Sequence, residues 1–212
     1  MFFFRLTAAF ACLIFALPSA AMAAGAADAL TMIRKMAPET PEGMGLMAVA
    51  YGEARNVERH TRYAASKPDD LDWIRAQAGH VMHAIEPKRR LQGRGLGYGL
   101  KKALAGISLA VGRAVGADDA TDGFKTHAGH VVAAVSDSMA RTDVILKLAD
   151  QIEMAPDPVM ARPLMLKLRE QSLLLLSGTD LNRDGKTSWT GGEGGLDQIA
   201  LHLQLMADQL AK

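Results

Sequence analysis

Residues 122–154, DGFKTHAGHVVAAVSDSMARTDVILKLADQIEM, read as one long helix. Phe124, Val131, Val135 and Leu146 are core candidates along it. Pro156 and Pro158 mark its end. Working outward, Ala, Leu and Met are abundant and aromatic residues make up only 5% of the chain. No stretch sustains the apolar/polar alternation in Val, Ile and Thr that a half-buried strand needs. The chain is therefore expected to be all-α, a bundle of about four long helices with shorter additions.

The remaining elements follow from stop signals and caps. A short first helix is expected near 26–36, closed by the Pro38–Gly43 segment, and a second from about 44 to 65. Asp69 or Asp70 can cap a third that reaches Glu86 before Pro87. Residues 92–99, with Gly at 93, 95, 97 and 99, form a connector. A fourth helix spans about 100–115, a sixth runs from Pro158 to about 176, and a seventh covers 196–210. An internal echo appears at an offset of 50, where Ala78-Gly79-His80-Val81 matches Ala128-Gly129-His130-Val131. Asp69, Asp72 and Arg75 match Asp119, Asp122 and Lys125 in the same register, which fits a duplicated helical hairpin or a chance likeness of Ala- and Gly-rich helices.

The first residues read as an address. Met1–Arg5 gives a positive start, residues 6–17 an apolar run, and Ala21-Met22-Ala23 a cleavage site. The run is shorter than the roughly 20 residues that span a bilayer. Cleavage after Ala23 predicts a periplasmic or secreted protein with no membrane span. It also removes Cys12, the one cysteine, so disulfides, thiolate metal sites and covalent c-type haem are excluded from what remains. Loss of Arg5 leaves 23 basic and 23 acidic side chains, a balance that argues against nucleic acid as a partner.

Chemistry is most specific at Asp180-Leu181-Asn182-Arg183-Asp184-Gly185. Oxygen-bearing side chains stand at alternate positions with Gly sixth, as a calcium loop requires. Asp180, Asn182 and Asp184 would supply side-chain oxygens, Lys186 its carbonyl, and Ser188 stands ninth. Gly191 occupies the usual closing position, so Glu193 is expected to close a loop two residues longer, with Gly191-Gly192 giving the backbone freedom. The expected cofactor is one calcium ion, and the expected units are 24–177 as the bundle and 178–212 as loop and last helix. A plain Asx turn is the alternative.

On these residues the chain resembles bacterial EF-hand-like calcium loops, in which an Asp-x-Asn-x-Asp-Gly start precedes a variable rear half. Thr187 departs from the aliphatic residue usual there, and no second loop of this kind stands elsewhere in the chain. The Ala78–Pro87 stretch, the Gly95–Gly99 connector and the glycine-rich tail of the loop are similar to exported bacterial helical proteins of unassigned function. That resemblance implies an architecture and no activity.

The chain holds six histidines, and five of them, His60, His80, His83, His127 and His130 but not His202, form a second candidate set. His80/His83 and His127/His130 are His-x-x-His pairs on predicted helices, a spacing that puts two imidazoles on one face. With His60 from the preceding helix, these five could hold a transition metal or a non-covalent haem. Hydrogen-bonded histidines at helix seams are the plainer expectation. The glycine connector follows no strand and so lacks the context of a phosphate loop. Met32, Met36, Met44 and Met47 read as core rather than as copper ligands. No constellation for catalysis is found, and a non-enzymatic protein is expected.

Overall fold

The computed structural model describes residues 25–211. The proposed signal peptide, residues 1–23, lies outside them. Seven α-helices and no strand are found among the described residues. They are α1 (Ala26–Arg34), α2 (Leu46–Ala65), α3 (Leu71–Ile85), α4 (Leu100–Val115), α5 (Asp122–Met154), α6 (Pro158–Ser177) and α7 (Leu196–Leu210). Single 3₁₀ turns at Pro41–Gly43 and Pro87–Arg89 fall where the prolines interrupt the chain. The protein is an all-α bundle.

Local chemistry sets the helix ends. The Asp70 carboxylate accepts from the Trp73 N–H (2.9 Å) and opens α3. Thr121 does the same for Phe124 (3.1 Å) at the start of α5, and Asp157 for Met160 (2.9 Å) ahead of Pro158. The first helix stops at Arg34, two residues earlier than the sequence suggests. An isolated antiparallel bridge between Met36 and Met44 takes over the backbone there.

Helix α5 is the axis of the bundle and packs against α3, α4, α6 and α7. Helix α2 lies against α3, α4 and α6. Phe124, Val131, Val135 and Leu146 are all buried, as expected from their spacing. Ile74, Leu100, Leu104, Ile107, Ile145 and Leu168 complete much of the core, and Leu196, Ile199, Leu203 and Met206 fasten α7 to it. No helix among the described residues is long and apolar enough to cross a membrane.

Candidate metal centre

The segment between α6 and α7 folds back on itself. Asp180 Oδ1 accepts from the Asp184 N–H (3.1 Å) and Oδ2 from the Gly185 N–H (2.9 Å). Asn182 Oδ1 accepts from the Asp184 N–H (2.9 Å), and Asp184 Oδ1 from the Lys186 N–H (2.9 Å). The three alternate side chains thus curl into their own loop, with Arg183 in the left-handed region (φ 62°) to make the turn. Glu193, 2% exposed, reaches in from the rear. Its Oε1 accepts from the Leu181 and Asn182 N–H groups (3.2 Å each). Its Oε2 accepts from the Ser188 N–H (3.1 Å) and hydroxyl (2.7 Å). The Ser188 hydroxyl, first among these donors, holds the Glu193 carboxyl below the usual range. Among the described residues no Lys, Arg or His forms an ion pair with Asp180, Asp184 or Glu193.

The loop is anchored to the bundle at three points. Thr179 N–H donates to the Glu193 carbonyl (2.9 Å), which pins the two loop ends together. Gly194 lies so close to α5 that a Cβ would meet the Ala134 Cα at 2.7 Å, and its N–H donates to Asp137 (3.0 Å). Arg141, also on α5, donates to the Gly192 carbonyl (3.3 Å).

A further contact of the loop leads to the histidines. Trp189, in the loop, stacks on the His130 ring with centroids 3.8 Å apart and meets His202 edge-on at 4.7 Å. His202, on α7 and 3% exposed, faces both histidines of the second His-x-x-His pair on α5. Its Nδ1 lies 3.2 Å from His127 Nδ1, and its ring centroid is 4.7 Å from that of His130. One ring nitrogen from each of His127, His130 and His202 falls within 4.8 Å of one from each of the others. Among the described residues no other set of three histidine, cysteine or carboxylate side chains meets so closely. His130 Nδ1 and His202 Nε2 are buried and have no protein group within hydrogen-bonding reach, an arrangement that costs about 1–3 kcal/mol per atom when nothing compensates it. Burial, reinforced by the neighbouring imidazoles, pushes the His202 pKa down to about 4 and lowers that of His130.

The other three histidines sit elsewhere. His60 on α2 lies against His80 on α3 with ring centroids 4.6 Å apart, and its Nδ1 meets Gln77 Oε1 at 2.8 Å. His83 turns outward, its Nδ1 2.7 Å from the Arg90 carbonyl. No ring contact or hydrogen bond joins this group to the α5–α7 trio among the described residues. The five histidines expected to share one site therefore divide into two groups. His202 and Trp189, which the sequence did not single out, complete one of them.

The offset-50 echo explains the division. Ile74/Phe124, Ala78/Ala128, Val81/Val131, Ala84/Ala134 and Ile85/Val135 are buried pairwise, so α3 and the first half of α5 present one face pattern to the core. Gln77 and His80 then correspond to His127 and His130. Each couple is met by one further histidine, His60 from α2 or His202 from α7.

A second buried carboxylate was also missed. Glu53 on α2 is 0% exposed and accepts from the Leu96 (3.1 Å), Tyr98 (3.2 Å) and Gly99 (3.0 Å) N–H groups of the glycine connector. Burial raises its pKa, while those three bonds pull against the rise. The connector is a strap held by a buried acid, and its apolar contact is Leu96 against Gly52.

Fold and site together define an all-α helical bundle with an oxygen-rich loop seated beside a histidine trio. Comparison with protein-family models, with curated proteins and with solved structures finds no match to this chain.

Proposed function

We propose that this chain is an exported, non-enzymatic helical protein that binds one calcium ion in the 180–193 loop, where the ion clips α7 to α6. The observation that supports this reading is the uncompensated charge of a curled loop. Asp180 and Asp184 curl into one turn with the Asn182 amide between them, Glu193 closes the loop from the rear, and none has a cationic partner among the described residues. A hard cation with six to eight oxygen ligands suits Asp180, Asn182, Asp184, the Lys186 carbonyl and Glu193.

Loops in exported modules hold calcium at about 10⁻⁴–10⁻³ M. At ten times the dissociation constant, binding adds about 1.4 kcal/mol to stability. For a chain of this size that is a rise of about 3–6 °C in Tm. Thermal melting of the chelated protein with and without millimolar calcium tests the reading. The rise should vanish in Asp180→Ala; its absence in the wild-type protein, or its persistence in the variant, overturns it.

A further inference from the structure

We propose that His127, His130 and His202 form a second, separate site that takes a single borderline divalent transition-metal ion of the zinc, copper and nickel class. Three imidazoles from two helices converge, with one ring nitrogen from each inside a 4.8 Å circle. Imidazole nitrogen is the ligand these ions share, at about 2.0–2.1 Å for zinc. Two such ligands on a tetrahedral ion stand about 3.3 Å apart, and His127 Nδ1 and His202 Nδ1 are 3.2 Å apart. An independent sign is His130 Nδ1, buried and without a partner in the ring that lies against His202, which is itself only 3% exposed.

The surroundings fit an ion better than a macrocycle or a hydrogen-bonded knot. Rings in mutual contact at 4.7–5.7 Å leave no slot for a porphyrin between them. A hydrogen bond between His127 and His202 satisfies at most one nitrogen of each ring and leaves His130 Nδ1 unmet. The corresponding place on α3 is built differently, although its His80 Nδ1 is likewise buried without a partner. There Gln77 replaces His127 and its amide oxygen meets His60 Nδ1, so the third imidazole is missing. Trp189 closes the His130 face of the trio, and the half-buried His127 leaves the approach from solvent. Three protein ligands leave a fourth position for water or a partner's ligand.

The test uses the purified, metal-stripped protein titrated with Zn²⁺ by calorimetry and with Co²⁺ by visible absorption. One equivalent of each should bind, with the intense d–d bands of a tetrahedral cobalt site. Quenching of Trp189 emission by Co²⁺ should disappear in Trp189→Phe. His202→Ala should weaken binding at least about 100-fold, since even outer-shell partners are worth 10–100-fold. His127→Gln, at a half-buried position, should weaken it similarly while keeping the wild-type circular dichroism, so a folding defect in His202→Ala does not decide the matter. His60→Ala and His80→Ala should leave one equivalent bound. No Zn²⁺ or Co²⁺ binding by the wild-type protein, or one equivalent retained in both trio variants, overturns the proposal. The calcium-dependent rise in Tm is measured on the same His127→Gln protein, so loss of either site is read separately from the other.

Discussion

At the scale of single residues, two buried glutamates do the work that longer strands or disulfides do elsewhere. Glu53 gathers three backbone N–H groups from a segment 43–46 positions away. Each would otherwise face the interior of a glycine-rich connector without a partner of its own. Removing the acceptor and leaving the donors is the costly direction of change. Glu53→Ala is therefore expected to lower the unfolding free energy by about 3 kcal/mol and to expose residues 91–99 to limited proteolysis; a urea midpoint unchanged from wild type would refute the strap. Glu193 plays the same part for the loop before α7, with four donors on two oxygens. Neither role is visible from composition. A Glu on a predicted helix reads as a solvent-facing charge until the fold shows what covers it.

At the scale of elements, the helices were legible because their signals are local. Asp70, Thr121 and Asp157 cap within three residues of the groups they satisfy, and Pro156 and Pro158 stop α5 by removing donors. The loop between α6 and α7 was half legible. Its front is a spacing rule, and the side chains there accept from N–H groups two and four residues on, the pattern of successive Asx turns. Its closure depends on Gly178, whose φ of 77° and ψ of −167° suit glycine almost alone. A Cβ there would run into the Glu193 carbonyl and the Thr187 methyl group. Gly178→Ala should lose about 3 kcal/mol through strain and the broken Thr179–Glu193 pairing. Gly185→Ala, also at positive φ (82°) but facing open space, should lose only about 1 kcal/mol. Equal midpoints for the two variants in urea would rule out this account of loop closure.

At the scale of the whole molecule, the repeated face of α3 and α5 builds two histidine seams into one core. In the α2–α3 seam, His60 is faced by Gln77, His80 and Tyr63 and by the charges of Arg59 and Arg94; His80 is faced by His60, His83, Arg90 and Arg94. Burial is the first cause that lowers both pKa values, and no acid offsets it. The folded protein thus binds fewer protons at these rings than the unfolded chain does below about pH 6.5. Stability from this seam is present above that pH and is lost as pH falls toward the lowered folded values. Urea unfolding at pH 7 and pH 5 should show a drop that is smaller in His80→Gln than in wild type; equal drops would show that the seam does not titrate in this way. The all-α class and most helix ends were legible in the sequence alone, because helix hydrogen bonds and caps act over a few residues. Which polar groups meet follows from the packing of the helices instead. His127 and His202 are 75 positions apart, and their contact exists because α7 packs along α5. His80 and His130 look alike in sequence, yet one meets a glutamine-backed partner and the other completes an imidazole trio, since the helix laid across each is different.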